Sequence, residues 1–329
     1  MLIEAAKPVP RRLQRLWQRA HEHLTMRRWL WWIVACAVAT ALLVPTFARI
    51  EFGTLVHDLR RADARWLAVA VVANFLTLPL MTAQWQLLLP RDRAAPFRQL
   101  WPCVAVGMAS MNVLPAAAGH AVATGMLASR GVTTVRGGVS MLALEQICEA
   151  VAKVLLVAFV AALVPMPVVL WRIGGLVFIL GGLISVGAVW ISRRATGGGG
   201  AKWRAWSAHL ESLWSPRRFS LACGLSVLMK VAAWFAIDAV QRSVGISLSP
   251  GQTALVLAAV TFASMISIAP GGLGFFELGA VASYRLFGIA APQAAAVSIL
   301  IHVAFLLPIV GTGYLMILGR AVLTMRQRP

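Results

Sequence analysis

Apolar stretches of about 20 residues recur along this chain, and they constrain its fold more than any other feature. A stretch of that length is enough for an α-helix to cross the hydrocarbon core of a bilayer. Hydrophobic residues make up 60% of the sequence and charged residues only 12%, which excludes a water-soluble fold. The sequence therefore predicts an all-α polytopic membrane protein, with about six full spans and two shorter, broken segments.

The positive charge of the chain is distributed in a way that indicates membrane topology. The formal charge of +19 arises mainly from Arg residues at the ends of apolar stretches, and these do not form a continuous basic face. This pattern is typical of topology signals and of contacts with anionic lipid headgroups, so we expect no nucleic-acid partner. Cys36, Cys103, Cys148 and Cys223 lie in apolar stretches without metal-ligand spacing, and we predict neither a metal site nor a cofactor.

The alternation of polar and apolar segments divides the chain into three parts. A basic cytoplasmic arm with an interfacial helix, residues 1–28, precedes a membrane domain at 29–320, and a basic cytoplasmic tail follows at 321–329. Within the membrane domain we predict an anchor helix at 29–48, a first repeat at about 66–164, a linking helix at 168–191, a cytoplasmic loop at 192–218 and a second repeat at about 219–320.

Two of the apolar stretches are interrupted near their middle. The first, ASMNVLPAAAGHAVATGML, contains Pro115 and Gly119, and the second, SMISIAPGGLGFFE, contains Pro270, Gly271, Gly272 and Gly274. Proline and glycine end a helix, and backbone freed at membrane depth must line a cavity or lie buried in protein. We therefore predict that each break is the tip of a re-entrant hairpin and that these six residues contribute to a substrate site.

The spacing of the two breaks indicates an internal repeat. Pro115 and Pro270 are 155 positions apart, and the same offset relates Gly119 to Gly274. If each broken segment enters and leaves on one face, all the unopposed Arg clusters fall on the cytoplasmic side together with both termini. The two repeats then have inverted topology, an architecture found in alternating-access transporters.

Ionisable side chains lie inside otherwise apolar stretches, where a charge at the bilayer centre costs about 3 kcal/mol on insertion scales. They are Glu145, Glu149, Lys153, Lys230, Asp238, Glu277 and His302. Because such residues often mark substrate pathways, we assign all of them except Asp238 to substrate binding. The structural alternative is internal pairing, of Glu149 with Lys153 and of Lys230 with Asp238.

A family resemblance adds to this interpretation. The segment SIAPGGLGFFELGAVASYRLFGIAAPQAAAVSILIH resembles the second-repeat signature of the lysylphosphatidylglycerol synthase transmembrane family. The stretch LPAAAGHAVATGMLASRGVTTVRGGVSMLALEQICEAVAKV is similar to the first-repeat signature, and the resemblance covers about 66–320. It implies a flippase-like lipid translocator. The aminoacyl-transferase domain of the bifunctional members has no counterpart in this sequence, so we expect a stand-alone member without lipid aminoacylation.

These observations predict a flippase of the bacterial inner membrane that moves a polar-headgroup lipid between leaflets, and not an enzyme. The sequence does not identify the lipid: the candidates are an anionic or aminoacylated phospholipid, a polyprenyl-linked sugar and a hopanoid. One alternative is an intramembrane enzyme that uses Glu145, Glu149 and His302 as acid and base, although HExxH, GxSxG and P-loop motifs are missing from the sequence. Another is a scaffold for a lipid-modifying enzyme partner, or a homo-oligomer.

Overall fold

The structure, a computed structural model, describes residues 52–89, 95–114, 116–165, 215–266 and 269–326, with isolated positions between 37 and 44. Every regular element within these ranges is helical. The predictions for the arm at 1–28, the anchor helix at 29–48, the linking helix at 168–191 and the loop at 192–218 fall wholly or largely outside the described residues.

The described residues form ten α-helices and one short 3₁₀ turn. In chain order they are α1 (Phe52–Arg61), α2 (Ala64–Phe75), α3 (Thr77–Leu88), α4 (Phe97–Val113), α5 (Ala116–Ser129), α6 (Val135–Leu163), α7 (Pro216–Ser243), α8 (Pro250–Ile266), the 3₁₀ turn (Pro270–Gly272), α9 (Phe275–Leu286) and α10 (Ala291–Arg326).

Four helical stretches are long and apolar enough to cross a membrane. They are Ala64–Leu88, Gly137–Leu163, Pro216–Ser243 and Ala291–Gly319, and α2 and α3 together form the first of them. They lie at the beginning and end of the two repeats predicted at about 66–164 and about 219–320. An all-helical membrane protein with several spans is thus confirmed for the part of the chain that the structure describes.

Two pairs of shorter helices occupy the positions of the predicted breaks. α4 packs against α5 so closely that a Cβ placed on Gly107 would lie 2.9 Å from Ala123 Cβ. In the same way a Cβ placed on Gly279 of α9 would lie 3.0 Å from the carbonyl oxygen of Ala259 on α8. Each pair is therefore a tight helical hairpin, and we name them the first and the second hairpin. Their re-entrant insertion and the inverted repeat stay predictions.

The direction of the long helices fixes the two ends of the bundle. The Asp63 backbone N–H donates to the carbonyl of Ser243 at 2.9 Å, and the Gln84 side chain donates to the carbonyl of Ala222 at 3.0 Å. α7 is thus antiparallel to α2 and α3. The start of α7 lies beside the end of α3, and the end of α7 lies beside the start of α2.

The two hairpins open at opposite ends of this bundle. Gln86, near the end of α3, donates to the carbonyl of Ala95 at 3.1 Å, which places the start of α4 at that end. A Cβ placed on Gly251, at the start of α8, would lie 2.8 Å from Leu163 Cβ at the end of α6. Trp85, near the end of α3, donates to Glu145 in the first half of α6, so α6 starts beside the start of α7 and runs parallel to it. The second hairpin therefore begins at the other end.

The tips of the hairpins meet inside the bundle. A Cβ placed on Gly271 would lie 3.4 Å from the carbonyl oxygen of Asn112, near the end of α4, and 3.7 Å from Leu306 of α10. α10 in turn crosses α4 at Gly313, where an added Cβ would lie 2.8 Å from the carbonyl oxygen of Ala105. Only a residue without a side chain permits so close a crossing of two backbones.

α10 contains a proline, Pro308, in its interior. The missing N–H of Pro308 leaves the carbonyl of Ala304 without its usual partner in the helix. Next to this point the Asn74 side chain of α2 donates to the carbonyl of Phe305 at 2.9 Å. Asn74 is buried, and its hydrogen bond attaches the middle of α10 to α2.

Candidate functional site

The second break has the backbone conformation that its sequence predicts. Gly271, Gly272 and Gly274 have φ angles of 64°, 78° and 87°, in the left-handed region that favours glycine. α9 begins directly afterwards, with Glu277 in its first turn. A carboxylate at this position accepts hydrogen bonds from the free backbone N–H groups of a helix N-terminus and interacts favourably with the helix dipole.

Glu277 is engaged by this chain on both of its oxygens. Oε2 accepts a hydrogen bond from the Gly274 backbone N–H at 2.7 Å, and Oε1 pairs with Nδ1 of His302. The other ring nitrogen of His302, Nε2, donates to the carbonyl of Gly271 at 2.9 Å. Phe276 stacks on the imidazole ring, with centroids 4.4 Å apart. Only 4% of Glu277 and 5% of His302 are exposed, so the pair is buried and its hydrogen bonds are complete.

A second ionic cluster joins α6 and α7, and we name it the trio. Lys230 Nζ lies 2.5 Å from Glu149 Oε1, and Lys153 Nζ lies 3.5 Å from the same oxygen. The exposed fractions of the side chains are 23% for Glu149, 20% for Lys230 and 14% for Lys153. The trio therefore has two ammonium groups for one carboxylate, and it is reachable from outside the bundle.

The trio corrects one of the predicted pairings. Glu149 and Lys153 do pair, as predicted for neighbours one turn apart on a helix. Lys230, however, pairs with Glu149 and not with Asp238, which accepts from Arg242 at 2.7 Å. The predicted pairing of Lys230 with Asp238 is wrong because the two residues stand eight positions, or about 12 Å, apart along one helix.

Glu145 lies on α6 one turn before the trio but has a different environment. It is buried, and its Oε2 accepts a hydrogen bond from Nε1 of Trp85 on α3 at 3.0 Å. Sequence reasoning misses Trp85 as a partner, because a tryptophan near the end of a span is typical of an interface anchor. The burial of Trp85 in the contact between α3 and α6 distinguishes it from such an anchor.

An apolar cavity of about 460 Å³ lies next to the trio, between α6, α7 and α8, and we name it the lateral groove. Lys230 lines it together with apolar residues that include Ala152, Leu156, Val227, Trp234 and Leu257. Its rim is formed by side chains that are exposed on the outside of the bundle, among them Leu155 and Phe235. An apolar chain can therefore reach the trio from the side.

Comparison with known families identifies the membrane domain. The family model for the lysylphosphatidylglycerol synthase TM region matches residues 32–313. The chain belongs to this family. A comparison with curated proteins gives no match.

Within this lysylphosphatidylglycerol synthase TM region, the predicted site residues lie at separate places. Gly271, Gly272, Gly274 and Glu277 form the tip of the second hairpin, and His302 of α10 contacts that tip. Glu149, Lys153 and Lys230 form the trio, Glu145 contacts Trp85, and Gly119 packs in the first hairpin. An added Cβ on Gly119 would lie 2.6 Å from Met111 Cα, so this glycine permits close packing of α4 and α5. Pro115 and the side chain of Pro270 lie outside the described residues. Substrate binding by these residues stays a prediction.

Proposed function

We propose that this protein is a lipid translocator that moves a lipid with an anionic headgroup between the leaflets of the bacterial inner membrane. The observation that carries this proposal is the trio, an ionic cluster with excess positive charge halfway along two spans and next to an apolar groove. Membership of the lysylphosphatidylglycerol synthase TM family supports a lipid substrate.

The position of the trio along its helices corresponds to the middle of a bilayer. Glu149 stands 12 residues after the start and 14 before the end of Gly137–Leu163, which is about 18 Å and about 21 Å of helix. Lys230 has a similar central position in Pro216–Ser243. Ionisable groups at this depth are costly to insert and are associated with substrate or ion pathways.

The charge of the trio favours a particular headgroup chemistry. With one carboxylate for two ammonium groups, the three side chains have one excess positive charge when all are ionised. A phosphate diester or another singly charged anion would balance this charge and accept hydrogen bonds from both lysines. We therefore favour a phosphate-bearing lipid over a hopanoid.

The arrangement of the hairpins supports alternating access as the mechanism. They open at opposite ends of the bundle and touch at their tips, so a path on one side is separated from a path on the other. Movement of one hairpin relative to the other would open the two sides in turn, as in transporters with inverted repeats. The lateral groove would let the acyl chains stay at the lipid boundary while the headgroup passes the trio.

A flipping assay with a neutral form of the trio tests this proposal. The variant Glu149→Gln/Lys153→Gln/Lys230→Gln keeps the size and the hydrogen-bonding capacity of the side chains but removes their charges. In vesicles with fluorescent phosphatidylglycerol, quenched from outside, we expect this variant to translocate the lipid about 10- to 100-fold more slowly than the wild type, since hydrogen bonds to charged groups contribute about 1.5–3 kcal/mol.

The matched control removes a different ion pair of α7. Asp238→Asn/Arg242→Gln eliminates a pair outside the lateral groove, and its translocation rate should stay within about twofold of the wild type, because exposed ion pairs contribute little. Wild-type flipping by the neutral trio, correctly inserted and monodisperse, would disprove the role of the trio. Mass spectrometry of the same lipids should show no change of mass, whereas a new lipid species would favour an enzyme.

A further inference from the structure

The Glu277–His302 pair holds together the surface at which the two hairpins meet. His302 belongs to α10, Glu277 and Gly274 belong to the start of α9, and the Gly271 carbonyl belongs to the 3₁₀ turn. Gly271 is also the residue that lies against Asn112 in the first hairpin. The hydrogen bonds of the pair therefore fix the position of the tip that contacts the other hairpin.

These hydrogen bonds are complete for only one number of bound protons. A carbonyl oxygen only accepts, so Nε2 of His302 must carry a hydrogen toward Gly271. Oε2 of Glu277 accepts from the Gly274 N–H and must be free of hydrogen. One proton remains to be shared between Nδ1 of His302 and Oε1 of Glu277. An imidazolium beside a carboxylate and an imidazole beside a carboxylic acid contain the same number of bound protons, so both satisfy these contacts.

A change in that number breaks at least one of the contacts. An added proton must sit on a Glu277 oxygen, where it faces either the Nδ1–H of His302 or the N–H of Gly274. Loss of the shared proton places the lone pair of Nδ1 against a carboxylate. The added proton thus places two hydrogen-bond donors against each other, and the lost proton places two acceptors against each other. Either arrangement is unfavourable in a buried site, because no water replaces the lost hydrogen bond.

Among the described residues, the pair has no other charged neighbour. α8, which packs against α9, has no ionisable side chain, and the hydroxyl of Tyr284 on α9 accepts from Gln241. The other ionisable side chains described on the helices around the tip are Arg98 and Cys103 early on α4, His120 near the start of α5, Arg65 at the start of α2, His57, Arg60 and Arg61 on α1 beside the start of α10, Arg285 at the end of α9, Tyr314 in the second half of α10, and Arg217, Arg218, Cys223, Lys230, Asp238 and Arg242 on α7. None of these described side chains is a hydrogen-bond or ion-pair partner of Glu277 or His302.

We propose that the Glu277–His302 pair is a proton-binding site, and that gain or loss of one proton there separates the tips of the two hairpins. The proton is thus the ligand that controls the contact between the hairpins. Only the link from this contact to lipid movement rests on the function proposed above. That link would make translocation responsive to a proton gradient.

The test measures whether the tip opens with pH. In a background in which Cys36, Cys103, Cys148 and Cys223 are replaced by Ala, Ala269→Cys places a thiol at a position that is 7% exposed beside the 3₁₀ turn. Leu273→Cys, in the same loop and 43% exposed, reports the intrinsic pH dependence of the reaction with N-ethylmaleimide. The ratio of the two labelling rates isolates the opening of the tip.

Measured in steps from about pH 5 to about pH 9, this ratio should be lowest where the pair holds its one shared proton and should rise at least about tenfold toward one or both ends of the range, since one coupled proton changes an equilibrium by up to about tenfold per pH unit. Glu277→Gln/His302→Gln keeps polar side chains at both positions without a titratable group, so its ratio should stay constant within about twofold over the same range.

A constant ratio in the wild-type background would overturn the proposal, and this measurement needs no tip variant to fold. An unchanged pH dependence in the double variant would assign the opening to other groups and would also overturn it. Labelling is measured in detergent without lipid transport. Failure of this proposal, with flipping intact, is therefore distinct from failure of the proposed function, in which the tip opens with pH but no lipid moves.

Discussion

The two ionic clusters of this protein differ in how completely their charges are matched. At the tip of the second hairpin, one carboxylate faces one imidazole, and each of their polar atoms has a partner from the chain. In the trio, two ammonium groups share one carboxylate, and the side chains are 14–23% exposed beside the lateral groove. A matched, buried cluster holds helices in place, whereas an unmatched and accessible one has capacity for a ligand.

The largest effect should come from breaking the matched cluster. Glu277→Leu removes the partner of His302 and of the Gly274 N–H, and we expect the free energy of unfolding to fall by about 3–5 kcal/mol, as for other buried pairs that lose one member. Thermal unfolding in detergent measures this change. The control Asp238→Leu breaks a more exposed pair and should lower the free energy by about 1 kcal/mol or less. Equal losses of unfolding free energy in the two variants would contradict the conclusion that the buried pair stabilises the fold more than the exposed pair.

A smaller effect should follow at Glu145, which resembles the tip pair in its burial. Trp85→Phe removes the indole N–H that donates to Glu145, and leaving a buried acceptor without its donor should lower the free energy of unfolding by about 1–3 kcal/mol. Trp234→Phe removes an indole hydrogen bond to the carbonyl of Pro250 near the surface, and we expect a smaller loss there. If the two losses are the same, burial does not determine the contribution of these carboxyl groups.

The smallest effect separates the two lysines of the trio. Lys230 lines the lateral groove and lies 2.5 Å from Glu149, whereas Lys153 lies at 3.5 Å and is not among the groove residues. We expect Lys230→Gln to slow lipid translocation about tenfold and Lys153→Gln only about twofold, because one lost charge-assisted hydrogen bond corresponds to roughly 1.4 kcal/mol. Flipping rates measured in vesicles distinguish the two variants. A greater loss of translocation rate in Lys153→Gln than in Lys230→Gln would indicate that the headgroup does not bind at Lys230.

The sequence predicts the helices of this protein better than its contacts. The length of the apolar stretches predicts the four described spans, and proline with glycine predicts the second break, because both signals are local. The pairing of Glu277 with His302 is not local, since it requires α10 to fold back onto the start of α9. Lys230 likewise finds its partner on another helix, where periodicity along α7 contains no information.

The pair of Asp238 with Arg242 is a different case. The two residues are four positions apart on α7, so the sequence alone contains enough information to predict their pairing. The sequence also suggests a pairing of Asp238 with Lys230, because residues eight positions apart lie near one face of a helix. A shared face does not bring two side chains into contact when two turns separate them.

Pro308 has a mechanical consequence for the longest helix. It lies six residues after His302, where α10 is attached to the second hairpin, and five residues before Gly313, where α10 is locked against the first. A helix bends most readily where proline removes a backbone hydrogen bond, and Asn74 holds α10 at this point from α2. We therefore expect α10 to bend at Pro308 when either hairpin moves, because one hairpin contacts it on each side of this residue.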